Sequence, residues 1–286
     1  MKSDRRNCDL SFSNLCSWRF LYDTQFAVID DFLVFKFWAG EQLAYMMPVG
    51  NGDLKAVLRK LIEDADKEKH NFCMLGVCSN MRADLEAILP ERFIFTEDRA
   101  YADYIYLRSD LATLKGKKFQ AKRNHINRFR NTYPDYEYTP ITPDRIQECL
   151  DLEAEWCKVN NCDQQEGTGN ERRALIYALH NFEALGLTGG ILHVNGKIVA
   201  FTFGMPINHE TFGVHVEKAD TSIEGAYAMI NYEFANRIPE QYIYINREED
   251  LGIEGLRKAK LSYQPATILE KYMACLKEHP MNMVKW

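Results

Sequence analysis

The order of elements between Thr211 and Pro265 decides the fold: TFGVHVEKAD TSIEGAYAMI NYEFANRIPE QYIYINREED LGIEGLRKAK LSYQP. Alternating and β-branched residues predict strands over Thr211–Lys218 and Tyr242–Asn246. Amphipathic spacing predicts a helix from Gly225 through Arg237 and a basic helix over Glu254–Leu261. This strand, helix, strand, helix order is typical of an open α/β sheet, which binds its ligands at the carboxyl ends of the strands.

The chain divides into two similar units. Turn residues at Tyr133-Pro134 interrupt the pattern and no Gly/Ser-rich linker follows, so we expect two packed units, residues 1–135 and 136–286. Each unit has a Tyr-Ile-Tyr strand, at Tyr104–Tyr106 and Tyr242–Tyr244, ahead of a helix rich in Lys and Arg. This repeat fits a duplicated α/β unit.

Composition is that of an ordinary globular protein. The 286 residues are 46% hydrophobic and 27% charged, with a formal net charge of −6, so there is no overall basic character that favours nucleic acid, although a local patch is not excluded. Met1–Cys16 lacks the apolar core of a signal peptide. No run approaches the roughly 20 apolar residues that span a membrane, and we expect a cytoplasmic protein without a transmembrane segment.

The eight cysteines do not form a recognisable metal motif. The close pairs, Cys73/Cys78 and Cys157/Cys162, have four intervening residues, which is wider than the usual zinc-binding spacing. We expect no metal site, and reduced, mostly buried thiols.

Three stretches carry a resemblance to a known family. Lys122–Phe129 (KRNHINRF), the meander Gly189–Gly204 and Asn246–Pro265 together resemble the phosphatidylglycerol lysyltransferase C-terminal domain family, over nearly the whole chain. The resemblance implies two tandem acetyltransferase-like (GNAT) folds. Related double-fold enzymes, the Fem-type peptidoglycan transferases, move an amino acid from aminoacyl-tRNA to an amine or hydroxyl. The transmembrane half of the lipid-modifying enzymes is absent from this sequence, so a lipid substrate is not carried over.

The basic segment Lys115–Arg130 contains no acid. On a helix, Lys122 and Arg123 flank an apolar face, and this position favours contact with a phosphate of a tRNA end or another polyanion. Arg123 is the best candidate because its guanidinium suits bidentate contact. The alternative is a solvated helix face with cationic tips in water.

Glu217 is the candidate general base for taking a proton from an amine nucleophile. It lies in a strand near the centre of the sheet that the resemblance implies. His215, two residues earlier, points the same way in a regular strand and competes for the role. The alternative for both is a surface or structural position.

Gly225 lies where acetyltransferases cradle a pyrophosphate with backbone N–H groups at a helix start. Here the loop reads SIEGAY, residues 222–227, and keeps only the central Gly of the usual motif. Glu224 places a negative charge beside the phosphate position, which argues against a normal acetyl-CoA site. Alternatively, Gly225 simply begins the helix.

The end of the stretch offers further substrate-binding candidates, which are Asn246, Glu248, Asp250, Arg257 and Lys260. Carboxylates here would bind the ammonium of an amino-acid donor or an amine acceptor, or belong to a turn. Arg257 and Lys260 share a helix face and could bind phosphate or an oxyanion. The resemblance implies that a Lys in this helix contacts the donor, and that Tyr263 acts as a general acid; otherwise Tyr263 is a core residue.

These observations predict an N-acyl or aminoacyl transferase with aminoacyl-tRNA as donor and an amine or hydroxyl as acceptor, without a metal or a certain cofactor. A CoA-thioester-dependent N-acetyltransferase acting on a small amine remains open. So does a non-catalytic ligand-binding protein that keeps the fold, since fold alone does not determine function.

Overall fold

The computed structural model describes residues 5–160 and 166–277. Its helices are α1 Phe12–Ser17, α2 Arg19–Tyr22, α3 Leu54–Lys67, α4 Ser79–Ile88, α5 Arg108–Thr113, α6 Gln120–Thr132, α7 Ile146–Asn160, α8 Glu166–His180, α9 Ala226–Arg237 and α10 Glu254–Leu261. Its strands are β1 Gln25–Ile29, β2 Phe32–Ala39, β3 Gln42–Tyr45, β4 Val49–Gly50, β5 Cys73–Cys78, β6 Phe93–Glu97, β7 Asp103–Leu107, β8 Glu137–Pro140, β9 Thr188–Val194, β10 Lys197–Pro206, β11 Thr211–Ala219, β12 Tyr244–Asn246, β13 Thr267–Leu269 and β14 Lys271–Leu276.

The strands form two mixed sheets. The first has the order β1-β2-β3-β5-β14-β6, with β4 paired to β2, and the second has the order β13-β7-β12-β11-β10-β9-β8. In each sheet one neighbouring pair is parallel, β3 with β5 and β11 with β12, and the other pairings in the described residues are antiparallel. The predicted α/β fold is confirmed, with two mixed sheets.

The predicted division between residues 135 and 136 does not match the sheets. Strand β7 precedes the break but lies in the second sheet, between β12 and β13. Strand β14, near the end of the chain, returns to the first sheet between β5 and β6. The buried rings of Tyr104 and Tyr106 therefore pack in the second core, while Ala274 and Leu276 pack in the first. The two units are joined by these exchanged strands as well as by the connecting chain.

Helix α6 lies directly on the start of α9, and Gly225 permits this contact. Gly225 precedes α9 with a φ of 86°, a left-handed conformation that favours glycine. A Cβ atom there would lie 2.8 Å from the carbonyl oxygen of His125 and 3.2 Å from Cβ of Phe129. The buried side chains of Ile126 and Phe129 belong to the same core as α9, so apolar burial holds the two helices together.

The expectation of reduced thiols is wrong for two cysteines. Cys73 on β5 and Cys275 on β14 form a disulfide between adjacent strands, 202 residues apart in the sequence. The spacing of the cysteines could not reveal this, since it depends on the return of β14 to the first sheet. The free cysteines within the described residues are Cys8, Cys16, Cys78, Cys149 and Cys157; Cys162 lies outside those residues.

A membrane-spanning helix was not expected. Among the helices of residues 5–160 and 166–277, none combines the length and apolar character needed to cross a bilayer.

Candidate active site

The candidate site lies where two parallel strands separate. Strands β11 and β12 pair only from Thr211 to Gly213 against Tyr244 to Asn246. Beyond this point β11 remains paired with β10, whereas the N–H of Arg247 donates instead to the carbonyl of Tyr104 on β7. Lys122, Glu217, Asn231, Arg247 and Tyr263 contact one another beside this point, and we call this group of side chains the wedge site.

An ion pair crosses the opening. Oε1 of Glu217 accepts from Nη2 of Arg247 at 3.0 Å, and Oε2 accepts from the Asn231 amide at 3.2 Å. Both charged side chains are largely buried, at 13% and 11% exposure. Nη1 of Arg247 and Oδ1 of Asn231 are also buried, yet have no hydrogen-bond partner among the described residues. Unsatisfied buried polar atoms are rare in proteins and mark a place where a ligand or water can bind.

A second cation faces the same opening. The Lys122 ammonium lies 4.0 Å from the centre of the Tyr263 ring, and the guanidinium carbon of Arg247 lies 4.8 Å from that centre. Burial, with a further contribution from Arg247, lowers the pKa of Lys122 to about 8, although Glu217 opposes the shift. Burial also raises the pKa of Tyr263, so the phenol stays protonated. The wedge site thus combines the protonated phenol of Tyr263, the fixed guanidinium of Arg247 and the amine of Lys122, whose pKa is about 8.

Lys260 stabilises the backbone next to the wedge site. Its Nζ donates to the carbonyl of Glu249 at 2.6 Å and to the carbonyl of Arg247. Its own carbonyl accepts from the Tyr106 hydroxyl at 2.8 Å. Burial, followed by the nearby Arg247, lowers the pKa of Lys260. The predicted donor-binding lysine therefore fixes the backbone that carries Arg247.

A cluster of buried charged side chains lies beside the segment that follows β12. Lys271 Nζ contacts Asp103 at 2.8 Å, Asp9 at 3.0 Å and Glu249. Asn246 donates to the same Asp103 carboxylate at 2.7 Å. Asn246, a predicted substrate ligand, is fully buried here and ties β12 to β7. Burial raises the pKa of Glu249 to about 7, with Lys271 opposing and Asp103 adding to the shift.

The charge cluster also contains side chains of metal-binding type. Ligand atoms of Cys8, Asp9 and Glu249 lie within 4.8 Å of one another. The Lys271 ammonium contacts both carboxylates and lies 3.7 Å from Sγ of Cys8. A cation is thus already present at the centre of this group, and we assign no metal to it.

Two other predicted site residues, His215 and Glu248, contact residues near the start of the chain. His215 Nδ1 lies 2.7 Å from Oε1 of Glu248, and His215 Nε2 lies 3.0 Å from the Ser11 hydroxyl. Asn14 also donates to Glu248, at 2.8 Å. His215 and Glu217 therefore have different partners, and only Glu217 belongs to the wedge site.

Asp250 and Arg257 bind each other. Nε and Nη2 of Arg257 donate to the Asp250 carboxylate at 2.8 and 2.9 Å, and the Tyr104 hydroxyl donates at 2.6 Å. The Arg257 hydrogen bond, reinforced by Tyr104, lowers the pKa of Asp250 well below its usual range. The Asp250 side chain is inaccessible to solvent, so in this structure it stabilises the loop before α10 and is not open to a ligand.

Arg123 and Gly225 both make contacts that stabilise the fold. Arg123 donates to the carbonyls of Leu114 and Gly116, the latter at 2.7 Å, and so holds the turn after α5. At Gly225, α6 lies against one side of the start of α9, while Glu224 and Tyr227 on either side of this glycine are exposed. Neither residue faces the wedge site.

Of the residues predicted from sequence, the structure brings together Lys122, Glu217 and Tyr263. Sequence reasoning missed Arg247 and Asn231. Arg247 follows the last residue of β12 directly, and this position at the carboxyl end of a strand was a usable signal.

A comparison with known families accounts for this architecture. The model for the family "Phosphatidylglycerol lysyltransferase, C-terminal" matches residues 1–275. The chain belongs to this family. A crystal structure of a conserved protein of unknown function from Bacteroides thetaiotaomicron is 99% identical, with a TM-score of 0.95 over 97% of this chain and 94% of that one.

One more distant relative shares the fold, and another is similar in sequence. The C-terminal domain of a candidate lysylphosphatidylglycerol synthetase from Agrobacterium fabrum is 13% identical, with a TM-score of 0.71 over 95% of this chain and 87% of that one. An uncharacterized protein of Mycoplasmoides gallisepticum is 25% identical over 177 residues, which cover 60% of this chain. That match spans about half of the relative's length, 55%.

Proposed function

We propose that this protein is an acyltransferase that moves an aminoacyl group from aminoacyl-tRNA to an amine or hydroxyl, with the wedge site as its centre. The observation that carries the proposal is the buried, unpartnered Nη1 of Arg247 beside Lys122. A hydrogen-bond donor fixed in a water-poor opening is suited to the negative oxygen that develops when a carbonyl is attacked. Membership of the lysyltransferase family supports the same reaction class.

The roles follow from the contacts. Glu217 and Asn231 hold Arg247 in one orientation, and Arg247 stabilises the oxyanion. Lys122 in its neutral form accepts the proton of the attacking amine or hydroxyl, since a base is most effective when its pKa is near the working pH. Tyr263 remains protonated and returns a proton to the leaving hydroxyl of the tRNA end. Glu217, predicted from sequence as the base, acts in this account by positioning Arg247.

The residues at the start of α9 favour tRNA over CoA as donor. Acyl-CoA enzymes of this fold type need free backbone N–H groups at this helix start for the pyrophosphate. Here α6 lies against Gly225, and Glu224 next to it adds negative charge. A CoA thioester is therefore the disfavoured donor.

Equilibrium binding of purified protein to aminoacylated tRNA and to acetyl-CoA, each across a salt titration, tests the proposal. We expect saturable binding to charged tRNA that weakens as salt rises, because phosphate contacts release counterions. Binding to acetyl-CoA alone would support the thioester reaction instead. Binding to neither would remove both donors and leave a ligand-binding protein with this fold.

A further inference from the structure

A groove separate from the wedge site lies between α1–α2 and α8. Its volume is about 350 Å³, within the roughly 300–1,000 Å³ typical of small-molecule sites. Its lining residues are Cys16, Ser17, Arg19, Phe20, Arg173, Ile176, Tyr177, His180 and Asn181. We call it the α8 groove. It shares no residue with the wedge site.

The α8 groove is rich in positive charge. Arg19, Arg173 and His180 line it, and no acidic residue does. Within residues 5–160 and 166–277, none of the three forms an ion pair with a carboxylate. Two arginines without an acidic partner, beside one depression, provide an anion-binding surface.

Aromatic rings hold the two guanidinium groups in place. The guanidinium carbon of Arg173 lies 4.0 Å from the centre of the Phe20 ring, and that of Arg19 lies 5.5 Å from the centre of the Tyr177 ring. An arginine stacked on a ring keeps its N–H edge available for bidentate contact with an anion. Ile176 and the two rings give the lining an apolar part.

An independent observation points to a ligand. Ser17 lines the α8 groove and is only 4% exposed. Its hydroxyl is buried and has no hydrogen-bond partner among the described residues. A buried hydroxyl without a partner costs free energy, and a ligand oxygen in the groove would satisfy it.

We propose that the α8 groove binds a small phosphate ester that carries an apolar or aromatic group. A phosphate monoester has close to two negative charges at neutral pH, which matches two arginines better than a single carboxylate does. The apolar group would lie against Phe20, Ile176 and Tyr177, and a phosphate oxygen would accept from Ser17. This site is additional to the proposed transferase centre.

The test is calorimetric titration of the full chain with phenyl phosphate and with inorganic phosphate. We expect one phenyl phosphate site that is at least about tenfold tighter than inorganic phosphate, because burial of a ring adds apolar area. Arg173→Gln should weaken phenyl phosphate about tenfold or more, and Ser17→Ala about three- to tenfold. Arg173 is exposed, so its substitution leaves the core intact.

Two control variants keep the result interpretable. Lys158→Gln removes the same charge from an exposed position on α7, and Lys122→Gln removes a cation from the wedge site; both should leave phenyl phosphate affinity unchanged. Equal affinity for the two phosphates, or equal loss in the Arg173 and Lys158 variants, would overturn the proposal. Loss in the Lys122 variant alone would place the phosphate at the wedge site and equally overturn it.

Discussion

Glu217 on β11 and Arg247 after β12 form a 3.0 Å ion pair across the point where the two parallel strands separate. Both side chains are largely buried, so removing one charge leaves the other without compensation. Replacing Glu217 with Gln should therefore lower the free energy of unfolding by about 3 kcal/mol. Urea titration measures this loss.

The double variant Glu217→Gln/Arg247→Met should recover most of that stability, since no charge is then left unpaired. Glu224→Gln is the matched control, because Glu224 pairs with Arg128 on the surface and such pairs contribute about 1 kcal/mol or less. Equal losses in the Glu217 and Glu224 variants would show that the wedge ion pair has no special energetic role.

Lys122 should control the pH dependence of transfer. Its folded pKa of about 8 means that the neutral amine accumulates as pH rises through that value, so the rate should rise up to about pH 8 and then level off. Lys122→Arg stays protonated and should reduce transfer at least about hundredfold. The measurement is a pH–rate profile of each variant. Lys118→Arg, an exposed position on the preceding turn, is the control. A wild-type profile in Lys122→Arg would contradict this role.

Gly225→Ala should destabilise the protein more than Gly186→Ala. Both glycines have positive φ, 86° and 66°, so both variants incur backbone strain of about 1 kcal/mol. A Cβ at Gly186 meets no atom within 4 Å, whereas a Cβ at Gly225 lies 2.8 Å from the carbonyl oxygen of His125. The clash should add about 1–3 kcal/mol. Similar midpoints of thermal unfolding for the two variants would mean that α6 does not lie tightly on α9.

The contribution of Glu249 to stability should fall as pH rises from about 4.5 to about 7 and change little above that range. The folded pKa of Glu249 is about 7 against an ordinary value of 4.5, so the folded state binds more protons between these values than the unfolded state does. The slope from this group reaches at most about 1.4 kcal/mol per pH unit. Glu249→Gln should flatten the dependence, measured by urea titration from pH 5 to 8, while the exposed Glu254→Gln should not. An unchanged slope in Glu249→Gln would show that another group dominates.

The sequence predicted the local elements well and the long-range pairings poorly. The strands and helices of the stretch from Thr211 to Pro265 follow from hydrophobic periodicity, which is a local property. The return of β14 to the first sheet, and with it the disulfide of Cys73 and Cys275, depends on contacts between distant segments that no local pattern records. The same holds for the insertion of β7 into the second sheet.

Several residues predicted for the site have strong partners inside the fold. Asp250 and Asn246 had suitable chemistry and position, yet both are occupied by buried hydrogen bonds. Arg247 has the opposite property, because one of its buried N–H groups has no partner among the described residues. Only the three-dimensional structure distinguishes a side chain with a partner from one without. Lys122 and Tyr263 were both predicted from sequence. The contact of the Lys122 ammonium with the Tyr263 ring, however, depends on how α6 packs.

The most direct test of the central claim is binding of aminoacylated against deacylated tRNA by wild type and by Arg247→Met. We predict that wild type prefers the aminoacylated form, because the ester carbonyl oxygen already accepts from Nη1 of Arg247 in the bound complex, and that Arg247→Met loses this preference, by about tenfold for a lost charge-assisted hydrogen bond. Lys158→Gln, away from the wedge site, should keep it. Equal preference in wild type and Arg247→Met would contradict the assignment of the wedge site as the transfer centre.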